Sequence, residues 1–335
     1  MQTEELLFSI CIPTYNRANI LNETIKKIVS DIDFDHKVEL VISDNCSTDN
    51  TKEIVEKYCL QYKNVKYFRN DINISDKNFW LALTRGNGIY KKLQNDNLAF
   101  KFGSLARIKM DIYDNLKNNK PIFFSGGTIY TKNKNETIIC NSLDEYVQSI
   151  STFVTYISNF GAYSKDLEIV SNPNLYQDLK LCQNDWSYQI TEKRNGCIIF
   201  DYEIYEIIPI PIGVRKGYNW FNVHLNNYYI IMNPYISKGA ISLKTYTGDR
   251  INLIKYFMPE LIKIFIYNYD RNWKFDTSGT FKLFWKYYKN IPLFYLYIIF
   301  YPIGFFYAFF YSIKYSIRRD SKLFKTLVLL KSKTI

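Results

Sequence analysis

Asp96 stands between Asn95 and Asn97 and follows Gln94, a cluster of oxygen-bearing side chains placed directly after the predicted strand Ile89–Leu93. Carboxylate and amide oxygens suit hard cations, and Mg2+ commonly relies on one or two protein carboxylates while substrate phosphates supply the remainder. Asn and Asp also dominate turns for conformational reasons, so the triplet has a plain reading as a turn. A second carboxylate, Asp44, closes the apolar run Lys37–Ser43 and opens Asp44-Asn45-Cys46-Ser47-Thr48-Asp49. Asp49 or Ser47 can cap the helix that follows. Carboxylates beside a phosphate make sense only with a cation between them. Zinc chemistry is excluded by type and spacing: six scattered cysteines form no C-x-x-C pair, and there are two histidines. Such cysteines read as reduced thiols of a cytosolic protein.

The elements that position these groups follow from hydrophobic pattern. Leu7–Arg17, LFSICIPTYNR, opens as a run short enough for a buried parallel strand and stops at Pro13, which cannot donate to a ladder. Ala18–Ser30 then reads as a helix with Ile20, Leu21, Ile25 and Ile28 on one face. Lys37–Ser43, Val65–Arg69 and Ile89–Leu93 are predicted as the next strands. Thr51–Tyr62 and a segment carrying Phe79, Leu81 and Leu83 are predicted as helices, the second broken by Gly86 and Gly88. Three strand-loop-helix units and a fourth strand make a nucleotide-binding half of Rossmann character, whose ligands bind at the carboxyl ends of the strands. No G-x-G-x-x-G is present, which argues against a dinucleotide site. Further on, a helix is expected over 102–118 and Pro121–Ser125 resumes the sheet. Ser142 and Glu145 have capping-box spacing, Cys182–Arg194 reads as a helix, and Gly196–Glu203 as a strand. Pro209, Pro211, Gly213 and Gly217 mark a loop leaving the core.

The net charge of +11 is unevenly spread. From Arg250 onward there are fifteen Lys and Arg against four Asp and Glu, so the first 249 residues are formally neutral. Ile291–Ile313 carries no charge over 23 residues, long enough to cross a bilayer. Pro302 and Gly304 interrupt it, and five tyrosines spread hydroxyls along its length. An interfacial amphipathic helix or re-entrant hairpin fits that spread better than a span. Lys314, Arg318, Arg319, Lys322 and Lys325 follow and suit anionic headgroups on the cytoplasmic side. Basic flanks around an aromatic, uncharged stretch favour lipid over nucleic acid as a partner. The acidic amino terminus is not that of a secretory signal peptide.

The succession SICIPTYNR, VISDNCSTDNT, YFRNDINISDKN and GIYKKLQNDN resembles the family 2 glycosyltransferases of the GT-A fold, of the bacterial surface-polysaccharide type. That family pairs an apolar strand ending in P-T-Y-N with a strand ending in D-x-x-S-x-D-x-T, an asparagine-rich turn and an acidic D-x-D-like cluster. The likeness implies an α/β fold, a Rossmann-like mixed sheet flanked by helices, and the basic, aromatic tail reads as a carboxyl-terminal helical, membrane-associating extension. Residues 1–215 would form the transferase domain and 216–335 the extension, with its aromatic and basic segment at 291–325.

By resemblance, Pro13, Thr14, Tyr15, Asn16, Asp44, Asn78 and Asp96 hold a nucleotide sugar, with Asp44 accepting hydrogen bonds from the base. Asp96 and Asn97 would hold a divalent cation, Mn2+ or Mg2+, weakly, because asparagines replace two acids. Asn184-Asp185 falls where the family has a later E-D pair. Asp185 is the expected base of an inverting transfer, with Asp178 and Asp201 as reserves. Arg215 and Lys216, beside glycines, could close over the diphosphate, and His224 is a further candidate there. The expected donor is a UDP-sugar and the acceptor a glycan or lipid-linked saccharide, at the cytoplasmic face of the inner membrane. The alternative is a catalytically inactive partner in a membrane-bound glycan-assembly complex.

Overall fold

The computed structural model describes residues 5–127, 137–210, 217–265, 275–300 and 303, with backbone alone at 262–265. Two compact units emerge: Met1–Asp249 with Phe275–Thr277, and Arg250–Lys274 with Ser278–Ile335.

In the first unit, β1 (Phe8–Thr14), α1 (Ala18–Val29), β2 (Val38–Asp44), α2 (Thr51–Gln61), β3 (Val65–Arg69), α3 (Lys77–Arg85) and β4 (Tyr90–Leu93) alternate as the pattern predicts. Every residue of β1 and β2 is buried, as expected of parallel strands covered on both faces. The helix α1 lays Ile20, Leu21, Ile25 and Ile28 into the core, each such side chain contributing about 1.5–3 kcal/mol by leaving water. Gly86 and Gly88 do end α3, but the reason at Gly88 is space. A Cβ there would meet the Ser9 backbone nitrogen at 2.7 Å.

Beyond β4 come β5 (Leu98–Phe100), α4 (Ser104–Asp114), β6 (Ile122–Phe124), β7 (Thr137–Cys140), α5 (Leu143–Ile150), β8 (Gly161–Tyr163) and α6 (Ser164–Leu167). They are followed by α7 (Cys182–Lys193), β9 (Cys197–Phe200) and β10 (Tyr205–Ile207). The main sheet has the order β3-β2-β1-β4-β8, with the first four strands parallel and β8 antiparallel to β4. The sheet is therefore mixed. The segment expected to resume it, Pro121–Ser125, instead builds β6 of a separate sheet, β6-β9-β7. Tyr90 ties the two by donating its hydroxyl to the Ile122 carbonyl at 2.9 Å. Ser142 caps α5 by accepting from the Glu145 backbone N–H at 3.1 Å, while Glu145 reaches one residue further back, to Asn141 N at 2.7 Å. A π-helical stretch (Asn222–Asn227) runs into α8 (Tyr228–Ser237), burying Phe221, Leu225, Tyr228, Tyr229, Ile231 and Met232. The chain continues into α9 (Leu243–Phe265).

The second unit has its own aromatic core. Phe257 lies 6.5 Å from Phe284 of α10 (Thr280–Tyr288), Phe284 lies 5.5 Å from Tyr288, and Tyr288 lies 6.0 Å from Phe294. Among the described residues no helix is long and apolar enough to cross a membrane. Of Ile291–Ile313, residues 301–302 and 304–313 lie outside the described residues, as does the basic run to Lys325.

Candidate active site at the carboxyl edge

Strand register sets the first row of the site. Thr14 pairs with Asp44, and Asp44 with Arg69, so the ends of β1, β2 and β3 stand abreast. The Asp44 carboxylate is fully buried: Oδ1 accepts from Ser47 N at 2.9 Å, Oδ2 accepts from the Tyr67 hydroxyl at 2.7 Å, and Arg69 Nε lies 3.6 Å away. Arg69 also donates to the Ser47 carbonyl at 3.0 Å. Tyr67 and Arg69 were not singled out in the sequence, although their period-two spacing on a short strand places both side chains on the Asp44 side.

The loop after β1 is held from the β2–α2 loop. Asn16 takes a left-handed conformation (φ 52°), tolerated by Asn. Its backbone N–H donates to Ser47 Oγ at 2.9 Å, and its amide oxygen accepts from Thr48 N at 2.7 Å. Asp49 caps on both sides, accepting from Ala18 N at 2.9 Å and from Thr51 N at 3.1 Å. Burial raises its pKa, and these hydrogen bonds outweigh that and leave it lowered. The structural reading of Ser47 and Asp49 therefore stands. Pro13 lies buried within β1, and Tyr15 presents its ring to solvent, 44% exposed.

Asn78, expected among the ligand-binding residues, is 2% exposed and wholly engaged. Its oxygen accepts from Ser43 Oγ at 2.6 Å and Asn70 Nδ2 at 3.1 Å, and its nitrogen donates to the Ser43 carbonyl at 2.8 Å. Arg85 completes this brace through Ser43 Oγ at 2.6 Å and Asn70 Oδ1 at 2.7 Å.

Asp96, 7% exposed, is held entirely from the β1–α1 region. Oδ2 accepts from Thr14 Oγ1 at 3.1 Å, Oδ1 accepts from Arg17 Nη1 at 2.8 Å, and its backbone carbonyl accepts from Thr24 Oγ1 at 2.7 Å. Burial drives its pKa up, against the lowering influence of Arg17 and Thr14. Asn97 directs its amide nitrogen toward the Ile208 carbonyl at 3.4 Å. Among the described residues no group of three or more His, Cys, Asp or Glu side chains could hold a metal ion. The divalent cation expected at Asp96 and Asn97 does not fit the turn as folded, because the single carboxylate already has a cationic partner.

The segment 151–159 walls the site beside this turn and left no signal in the sequence. Asn95 N donates to Ser158 Oγ at 2.9 Å, and Lys92, fully buried on β4, contacts the Ser158 carbonyl and the Tyr205 hydroxyl. Burial without an acidic partner lowers the Lys92 pKa to about 7. Thr155 accepts at its carbonyl from Gln183 Nε2 at 2.7 Å, and its hydroxyl lies 3.1 Å from His224 Nδ1. Desolvation pulls His224 down to about 4, so at neutral pH it offers a hydrogen bond but no positive charge to a diphosphate. Asp185 opens α7 but faces α8: Oδ1 accepts from the Tyr235 hydroxyl and Oδ2 from Gln189 Nε2, both at 2.7 Å. Burial raises its pKa, against the lowering influence of the hydrogen bonds from Tyr235 and Gln189. Arg215 and Lys216 lie outside the described residues.

Comparison with known proteins bears on this edge. Residues 9–90 match the family model described as glycosyl transferase family 2. The abequosyltransferase RfbV of Salmonella typhimurium is 37% identical over 103 residues, covering 30% of this chain and 31% of the relative. An uncharacterized glycosyltransferase of Mycoplasma pneumoniae is 38% identical over 61 residues, covering 18% and 20%. The matched stretch thus spans a third or less of these curated relatives. Among solved structures, S. aureus TarS 1-349 superposes with a TM-score of 0.49 at 18% identity, covering 73% of this chain and 69% of that one. The mannosyltransferase PcManGT from Pyrobaculum calidifontis, in complex with GDP-Man and Mn2+, gives 0.46 at 14% identity, covering 81% and 85%. Motif order and the family match agree on the same strands, so the likeness of this chain to the glycosyl transferase family 2 lies in residues 9–90.

Proposed function

We propose that this protein is an inverting glycosyltransferase of the GT-A kind that moves a sugar from a nucleoside-diphosphate donor, a UDP-sugar by family habit, to a lipid-linked or nascent surface polysaccharide. The observation that carries the reading is the row Thr14–Asp44–Arg69 at the carboxyl ends of three adjacent parallel strands, closed on its β4 side by the Asp96 turn. Parallel sheets bind ligands at that edge. Tyr15 offers an exposed ring against which a base can stack, and Asp44 an acceptor for its N–H groups. The partial match to an abequosyltransferase supports a saccharide acceptor.

In the reaction the acceptor hydroxyl attacks the anomeric carbon in line. The bond from that carbon to the diphosphate oxygen breaks, and the nucleoside diphosphate leaves with the electron pair. The hydroxyl proton passes to a carboxylate, for which Asp185 is the proposed base. The chain works at the cytoplasmic face of the membrane, held there by its basic, aromatic carboxyl-terminal part.

Thermal stabilisation by a panel of nucleotide sugars tests the donor half, since a ligand bound only by the folded state raises Tm by mass action. One donor should raise Tm and then yield free nucleoside diphosphate when membrane saccharide acceptors are added. A panel in which no nucleotide sugar shifts Tm or is consumed would overturn the reading.

A further inference from the structure

We infer that Arg17 supplies the positive charge that the donor's diphosphate requires, and that Asp96 serves to fix the Arg17 guanidinium and not to hold a divalent ion. This rests on the donor-site reading above. Each Asp96 carboxylate oxygen already accepts a hydrogen bond, from Arg17 at 2.8 Å and from Thr14 at 3.1 Å, and its carbonyl accepts from Thr24 at 2.7 Å. Its partner is differently placed. The Asp96 side chain is 9% exposed and that of Arg17 is 28% exposed, so the acid is inside while the arginine side chain is partly open to solvent. A guanidinium carries five N–H donors in a planar fork, and among the described residues Asp96 takes one of them. The remaining edge suits the paired oxygens of a phosphate.

Position and pairing both favour this residue. Arg17 directly follows Thr14–Asn16 and precedes the first residue of α1. Helix N-termini often bind phosphate through backbone N–H groups, but here Ala18 N already donates to Asp49 at 2.9 Å. A side chain at this position can bring the charge instead. Arg69 is committed to Asp44 and the Ser47 carbonyl, and Arg85 to Ser43 and Asn70. The Arg69 side chain is 40% exposed but is shared between Asp44 and the Ser47 carbonyl, whereas among the described residues Arg17 has Asp96 as its partner.

Calorimetry on the full chain tests the assignment, using UDP, CDP, GDP and dTDP and then the parent nucleoside of the tightest binder, each in EDTA and in Mn2+. The expected result is diphosphate affinity in EDTA within about twofold of that in Mn2+. Arg17→Gln should weaken the diphosphate about tenfold or more, the scale of one lost charge-assisted hydrogen bond, and leave the nucleoside unchanged. Arg17→Lys should recover part of the loss, because the charge returns without the fork. Asp96→Asn keeps the shape but frees the guanidinium, and should weaken the diphosphate several-fold with no change for the nucleoside. If Asp96→Asn does not fold, Arg17→Gln decides alone, its side chain being partly exposed. Binding that requires Mn2+, or undiminished diphosphate affinity in Arg17→Gln, overturns the assignment while the donor site stands. Failure of all four nucleotides to bind the native chain overturns the donor site and the assignment together.

Discussion

Asp185 carries the chemical step in the proposed reaction, and its surroundings define what that role demands. Both carboxylate oxygens already accept one hydrogen bond, from Tyr235 and from Gln189, and the residue is 4% exposed. Each oxygen keeps a second lone pair, so the base can receive a proton without first breaking the contact to α8. Replacement by Asn keeps the size and removes the proton acceptor. Asp185→Asn is expected to bind donor as the native protein does and to lose turnover by about a hundredfold or more, as for removal of a general base. Single-turnover kinetics beside donor calorimetry would read both quantities. Near-normal turnover would pass the role to Asp178 or to Asp201, whose carboxylate accepts from Ser125 Oγ.

At the scale of elements, the donor row depends on a polar brace behind it. Ser43, Asn45, Asn70, Asn78 and Arg85 join the ends of β2, β3 and α3, with Asn45 Nδ2 donating to Asn73 Oδ1 at 2.8 Å and Asn70 Nδ2 to Asn45 Oδ1 at 3.0 Å. Each side chain is buried or half-buried, so a missing partner leaves a desolvated group unpaired, at about 1–3 kcal/mol apiece. Asn78→Ala is therefore expected to lower stability by about 2 kcal/mol or more, measured as a shift in the urea midpoint. Donor affinity should fall as well, because Ser43 precedes Asp44. A variant with native stability and weakened donor binding would instead make Asn78 a direct ligand contact.

At the scale of the whole molecule, the two compact units differ in what they present. The first contains the candidate site at the carboxyl edge, and the second combines a small aromatic core with exposed Phe281, Trp285, Leu296, Ile299 and Phe300. Lys282, Lys286 and Lys289 belong to α10 or adjoin it. Exposed aromatic rings with neighbouring lysines suit a membrane interface, where rings enter the headgroup layer and cations meet anionic lipid. The full chain should float with vesicles containing phosphatidylglycerol, release partly as salt screens the charges, and bind phosphatidylcholine vesicles less. Phe281→Ser with Trp285→Ser should weaken flotation without changing donor affinity. Attachment that resists salt and yields only to detergent would favour a crossing segment in 291–313.

Much of this was legible in the sequence, for a reason seen at Pro13, Asp49 and Ser142. Strand ends, caps and helix faces arise from contacts a few residues apart, so their signals lie together in the chain. The order β1-α1-β2-α2-β3-α3-β4 was read from hydrophobic period, and the family likeness from motifs on those same strands. Tertiary structure decided what depends on partners distant in sequence. The three-residue strands β5, β8 and β10 are too short to carry a period and exist through their pairing. The place of β6 in a second sheet depends on β9, and Asp185 turned toward α8 because Tyr235, 50 residues later, packs there. Asp96 read as a cation ligand while only its neighbours Asn95 and Asn97 were in view. Its charge partner is Arg17, 79 residues earlier, brought alongside by the pairing of β1 with β4. No local signal can carry that pairing, because the energy that selects it is gained only when the sheet has formed.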